Sequence, residues 1–398
     1  MSLIGARKAL LFGRRTGWVL KGDGVRADID LDFANGRGWQ GRLASPASLM
    51  TCTRAISGTG HTYDYADDSN GNWLQFLAGV PRITNNGLLV EEARTNVVLY
   101  SRDLTNAAWN TKTNITVALN QTGIDGTTNS ASSITATNSN AIISQGITLS
   151  SSARFQSAFV KRLTGSGTVS MTMDGGSTWV DITLTSSWSR VTIPTQTLAN
   201  PTVGFKIATS GDAIAVDAVQ NENGAFSTSP IFTTSATITR NADVVSLVTP
   251  VAIAAGAPFT LYGKAASNSP SATAIILNIN NSSTDYGYVY YNGSAQRAGA
   301  KTAANNVTQY NASISGANTW LVNAVQGVAF TSAPGDQAGT TNGLSVITGS
   351  AANNPALTIN NCNIGSSNSI NYLNGYIKRV AIFTTRVSNS ELQRITLV

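Results

Sequence analysis

The chain has 398 residues, enough for two or three domains with packed cores. Only 12% of residues are charged and 42% are hydrophobic, while 36 glycines and 10 prolines follow no collagen period, so a disordered or collagenous chain is excluded. The formal charge is +6, but 26 Lys and Arg spread over this length make no dense basic patch, so no nucleic-acid partner is expected.

The remaining composition, rich in Ser, Thr, Asn and β-branched residues, favours β-sheet with hydroxyl and amide surfaces. Eight cations fall before residue 45: Arg7, Lys8, Arg14, Arg15, Lys21, Arg26, Arg37 and Arg42. That local excess reads as an attachment segment, with Arg7, Lys8, Arg14 and Arg15 as its docking residues. The apolar stretch 9–12 is too short for a signal peptide and is interrupted by Arg14 and Arg15. No run is long and apolar enough to span a membrane, so no membrane insertion is expected.

In Ala27-Asp28-Ile29-Asp30-Leu31-Asp32-Phe33, alternation predicts a half-buried strand whose aspartates form a solvated outer face. The loop after His61 offers Asp64, Asp67, Asp68 and Asn70 as oxygen ligands for Ca²⁺, with Gly71 to allow a sharp turn. The spacing is not that of an EF-hand, and turn capping is the competing role. His61 reads as a polar loop residue. Adjacent Glu91 and Glu92 face opposite sides of an extended chain, so they are not a catalytic pair; a salt bridge to Arg94 or a buried hydrogen-bond anchor is expected instead.

From residue 96 to 247, short β-branched runs recur about every ten residues: 141–149, 168–174, 179–184, 188–193, 202–207 and 213–219. That spacing predicts a jelly roll or sandwich. From 248 only Asp285, Asp336 and Glu391 carry negative charge. Runs at 259–262, 274–279, 286–291, 320–325, 344–347, 356–359 and 376–383 predict a second sandwich, closed by a helical turn that Ser388 caps and Glu391 completes. Tyr286, Tyr288 and Tyr290 alternate on one strand face, with Tyr291 and Asn292 at its end. Such a row can stack on sugar rings or pack against a neighbouring subunit. Trp73, Trp109, Trp179, Trp188 and Trp320 are expected in the core. Cys52 and Cys362, over 300 positions apart, are expected to be free buried thiols. The absence of His and Cys clusters argues against zinc sites and His-based catalysis.

Three stretches resemble a known family. Pro81-Arg82-Ile83 and Gly87-Leu88-Leu89-Val90-Glu91-Glu92-Ala93-Arg94-Thr95-Asn96, then Leu99-Tyr100-Ser101 and Trp109, resemble a junction of tailed-bacteriophage head-spike and fibre proteins. Thr53-Arg54-Ala55, Thr62-Tyr63 and Gly71 fit the pattern upstream of it. Trp188-Ser189-Arg190-Val191-Thr192, Ile214 to Phe226, Ser229-Pro230 and Thr239 to Asp243 are similar to the closing part of jelly rolls related to carbohydrate-binding modules. Asn221 stands where that pattern has Leu, so a more solvated strand edge is expected there. Leu373 to Phe383, Arg386-Val387-Ser388 and Glu391-Leu392 resemble the end of a laminin-G or concanavalin-like domain.

The resemblance implies an all-β chain: an N-terminal virion-attachment region (1–95), a carbohydrate-binding-module-like jelly roll (96–247) and a concanavalin/laminin-G-like sandwich (248–398). It further implies a non-enzymatic structural protein on the virion surface, made in the bacterial cytoplasm. Its expected partners are capsid or tail proteins, further copies of itself in a trimer, and host surface glycan. A tail fibre that binds a receptor and a glycan depolymerase are the alternatives.

Overall fold

The computed structural model describes residues 19–55, 62–269, 273–281, 284–313, 323–355, 358–367 and 369–397. The described chain is nearly all β, with one α-helix, Asn389–Thr396, and one 3-10 turn, Pro46–Leu49. It divides into two compact units, and the division is not the linear one expected at 95 and 247. One unit takes in residues up to 53 together with 79–92 and everything from 243; the other holds 54–78 and 93–242.

The first unit is a sandwich of two sheets. Its ten-stranded sheet centres on Phe259–Ser267 and Gly375–Phe383. Gly375–Phe383 is also paired with Ile29–Asp32 and with Gly87–Val90, so strands from the first 95 residues are integral to this sheet. The seven-stranded sheet runs, in spatial order, Val307–Ser313, Arg297–Ala304, Tyr286–Asn292, Thr273–Asn280, Asn361–Ile364, Val244–Leu247, Met50–Thr53. Inward residues of both sheets, among them Leu31, Leu261, Phe330, Ile382, Val289, Tyr291 and Ile364, share one core. Asn305 and Asn306 both adopt positive φ between Ala304 and Val307, the geometry of a tight type I′ hairpin, which Asn tolerates.

The acidic face expected at 28–32 is exposed at Asp28 but not at Asp30 and Asp32. Asp30 and Asp32 are buried, because Ile29–Asp32 lies inside the sheet between Arg37–Gln40 and Gly375–Phe383. Arg379 on the neighbouring strand pairs with Asp30, the Leu20 amide donates to Asp30 at 2.6 Å, and Asn35 caps Asp32. Asp28 accepts from the amide and hydroxyl of Thr384. Each carboxylate therefore has a specific donor, the condition under which charge is tolerated inside a sheet.

Expected strands at 259–262, 274–279, 286–291 and 376–383 are present, all four longer than expected. Residues 323–325 form no strand, 344–346 form none, and Ile359 makes only an isolated bridge to Ile253. The terminal helix follows Ser388, which makes no side-chain cap; its hydroxyl donates to Asp23, and Glu391 pairs with Arg394.

The second unit packs two five-stranded sheets face to face. One runs Thr111–Thr113, Ala141–Gly146, Thr202–Ile207, Val169–Thr172, Val180–Asp181; the other runs Ile115–Gln121, Ala131–Ala136, Ala213–Asn223, Ser152–Thr164, Ser189–Leu198. Trp109, Ile134, Ile143, Val160, Phe205 and Val216 belong to its core. Of the tryptophans expected inside, Trp109 is fully buried while Trp73, Trp179 and Trp188 are half-buried; Trp320 lies outside the described residues. Lys206 and Lys161 sit over the Trp179 and Trp188 rings, which explains why these rings stay at the surface. Asn221 is not solvated: it is fully buried, and its amide donates to Asn96 Oδ1. Cys52 and Cys362 are buried thiols, neither in a disulfide.

Candidate functional site

The tyrosine strand Tyr286–Asn292 alternates strictly, leaving Tyr286, Tyr288, Tyr290 and Asn292 half-buried on the outer face and burying Gly287, Val289 and Tyr291. Tyr291 is therefore a core residue, not part of the row, since odd and even positions point to opposite faces of a strand. Tyr286 and Tyr288 are nearly parallel, 12° apart with centroids at 5.5 Å, and Tyr290 stands edge-on to Tyr288 at 5.7 Å.

Cross-strand register fixes what surrounds the rings. Tyr290 is opposite Gly299, and a Cβ at Gly299 would lie 2.2 Å from Tyr290 Cζ, so the ring crosses the neighbouring strand directly above a missing side chain. Lys301, opposite Tyr288, places Nζ 5.4 Å from the Tyr286 centroid. Arg297 is opposite Asn292. On the other side Asn278 faces Tyr288 and Asn280 faces Tyr286, followed by Asn363 and Asn361. Asn278 Oδ1 and Asn280 Nδ2 are buried without a hydrogen-bond partner. Burial first, then the neighbouring Tyr286 and Tyr290, pushes the Tyr288 phenol up to about 12. Burial also raises Tyr290, against the opposing pull of Arg297 and Lys301.

The other sequence-derived sites fare differently. Asp64, Asp67, Asp68 and Asn70 do not form a cation cage. Asp64 is fully buried against Arg54, with Arg54 Nε at 2.6 Å, and Asp68 caps its own turn by accepting from the Asn70 and Asn72 amides and the Asn72 side chain. Those bonds, the Asn72 side chain first, hold the Asp68 carboxyl below its usual value. No group of three or more metal-ligating His, Cys, Asp or Glu residues occurs among the described residues. Arg7, Lys8, Arg14, Arg15 and His61 lie outside the described residues.

Glu91 pairs with Arg82, at 2.8 Å. Arg82 also pairs with Asp243, whose carboxylate accepts the Glu91 amide at 2.9 Å, and the Asp243 amide donates to the Glu91 carbonyl. All three residues are buried. This ionic cluster lies where the chain leaves the first unit and where it returns. Just beyond it, within the second unit, Arg94–Asn96 pairs antiparallel with Ile238–Arg240.

Sequence reasoning missed one further cluster. In the second unit a groove of about 450 Å³ is lined by Tyr63, Tyr65, Tyr100, Phe232 and Arg102 among others. Arg102 lies 4.0 Å from the Phe232 ring centre and donates to Asp125, Asp217 and Ser130. Asp217 is wholly buried; burial raises its carboxyl, while Asp125 is held low because Arg102 outweighs the effect of burial. Asp217 also accepts from the amides of Ile124 and Ala218, and Ala218 adopts φ 49° at a bulge in Ala213–Asn223. Both Asp217 oxygens are thus engaged by interior donors, so the pair anchors Arg102 and is not built as a hydrolytic acid and base. A lone Asp in the apolar run 213–219 was the available signal.

No known protein family and no curated protein matches the chain. Among solved structures, it is similar to the CBM40 of the Ruminococcus gnavus IT-sialidase, with 14% identity and a TM-score of 0.31 over 38% of this chain and 96% of that one. It is also similar to the heptameric SAP-like pentraxin of Limulus polyphemus, with 12% identity and a TM-score of 0.30 over 37% and 71%. Domains LG4-5 of the mouse laminin α1 chain give 11% identity and a TM-score of 0.20 over 78% and 91%. Likenesses this low say nothing of function.

Proposed function

We propose that the chain is a non-enzymatic structural protein of a tailed-phage virion, a head spike, fibre or decoration protein. It docks through its N-terminal region and displays β-sandwiches that contact host surface glycans. The observation that supports this reading is the junction at 87–96. The stretch resembling phage spike and fibre proteins is also where one sandwich is interrupted and a second begins. There Glu91 and Asp243 are joined backbone to backbone and share Arg82. A root in which the ingoing and outgoing chains are bonded to each other resists separation, which suits a displayed, load-bearing module. No helix among the described residues is long and apolar enough to cross a membrane.

The aromatic row favours a second reading, a receptor-binding tail fibre, which differs in its place on the particle. Depolymerase chemistry has less support, because the carboxylates beside the groove are closed off by Arg102 and backbone amides. The docking idea is tested by replacing Arg7, Lys8, Arg14 and Arg15 together with Ala. The variant keeps its β-sheet circular dichroism and is lost from purified particles; incorporation at the wild-type level refutes docking through these residues. Assembly as a trimer is tested by sedimentation, where a species of one chain mass at micromolar concentration refutes it.

A further inference from the structure

The seven-stranded sheet that carries the tyrosines has an unusual charge inventory. None of its strands, from Met50–Thr53 to Val307–Ser313, contains Asp or Glu, and their only cations are Arg297 and Lys301. Both cations fall on the strand beside the tyrosine row, and both act on Tyr290. These strands thus combine aromatic rings and two positive charges with no carboxylate among their own residues.

The rings are set up as a surface rather than as packing. The Tyr290 ring extends over Gly299, where any side chain would displace it. Glycine opposite an aromatic on a paired strand lets the ring cover the backbone. Beside the row, the carboxamides of Asn278 and Asn280 each retain one atom without a partner, although each residue is 1% exposed. A buried polar group left unpaired costs stability, so its retention beside an aromatic row points to a ligand or water that completes it. Oxygen-rich rings with hydroxyl donors and acceptors do so, and stack their C–H faces on tyrosine.

We propose that this face binds an acidic oligosaccharide, one whose sugar rings carry carboxylates. Tyr286, Tyr288 and Tyr290 stack the sugar rings, Lys301 and Arg297 pair with the carboxylates, and the Asn278 and Asn280 amides meet ring hydroxyls. The Tyr288 phenol, pushed up by burial, stays protonated and donates. Two cations are too few to follow a nucleic-acid backbone, which presents a phosphate at every nucleotide. A neutral glycan leaves the charge pattern unused. The proposal rests on the reading that this sandwich meets glycan, but not on the particle that carries it.

The test is calorimetric titration of the full-length purified chain with an oligogalacturonate and with its methyl ester, which keeps the ring and removes the charge. The acid form binds, its affinity falls as salt rises, and the ester binds markedly more weakly. Lys301→Gln weakens binding of the acid form about three- to fivefold, the scale of one exposed ion pair, and leaves the ester unaffected. Tyr288→Ala weakens it about tenfold. Because Tyr288→Ala also removes packing, Gly299→Ala is the companion variant: it changes no charge and only lifts the Tyr290 ring, and it weakens binding too. Equal binding of acid and ester overturns the acidic class, and no binding of either overturns the site. Neither result touches the virion assignment, which is read on particles.

Discussion

Replacing Arg82 by Met tests the root of the inserted module. In the folded chain Arg82 is fully buried and faces two buried carboxylates, Glu91 and Asp243. Removing one partner of a buried ion pair leaves uncompensated charge and costs about 3–5 kcal/mol, far more than an exposed pair is worth. Here two carboxylates lose the same counterion, so the upper part of that range is expected. The assay is urea unfolding read by hydrogen exchange on the amides of Gly375–Phe383, the strand that pairs with Gly87–Val90. A second variant separates charge from packing. Arg82→Met combined with Glu91→Gln and Asp243→Asn removes the charges together, and stability returns to within about 1–2 kcal/mol of wild type, since neutral replacements of a buried ionic cluster are often tolerated. A loss below about 1 kcal/mol for the single variant, or a triple variant no more stable than the single one, refutes the reasoning.

Three further outcomes are expected. Gly87 has φ 115° and its Cβ would lie 2.3 Å from the Ile377 carbonyl oxygen, so Gly87→Ala lowers the urea midpoint by the equivalent of about 1–3 kcal/mol from backbone strain alone; an unchanged midpoint contradicts the close approach. Cys52 and Cys362 are buried, and burial pushes the Cys362 thiol up to about 12, so a thiol reagent labels neither until the chain unfolds; rapid labelling of native protein at pH 8 contradicts this. Tyr262, Tyr288 and Tyr310 are each raised by burial to about 12, so their neutral forms stabilise the fold fully below the unfolded value of about 10, and that contribution is lost as pH rises from there through 12. Phenolate absorbance shows a late-titrating set of tyrosines; a single transition near pH 10 in folded protein contradicts it.

Much of the architecture was legible because it is local. The 2-residue alternation at Tyr286–Asn292 and the β-branched runs at 202–207 and 213–219 are read directly from neighbours in sequence, and the strands stand there. What could not be read is pairing over long separations. Ile29–Asp32 is a buried interior strand only because Arg379, about 350 positions later, lies beside it; from local alternation alone the aspartates read as a wet face. The same distance effect hid the interleaving of the units, since Gly87–Val90 is paired with Gly375–Phe383, not with its sequence neighbours alone. At the candidate site the tyrosine row was visible, whereas Gly299, Lys301, Asn278 and Asn280 became part of it only through register. The acidic loop misled because Asp64 looks like its neighbours in sequence but is buried with Arg54.

The central claim is that this chain is displayed on a phage particle, and immunogold electron microscopy of purified virions with antibody against residues 248–398 tests it directly. The account predicts gold on intact particles: over the head for a spike or decoration protein, or at the tail end for a fibre. Particles without gold, in a lysate where the chain is present but sediments apart from them, contradict it.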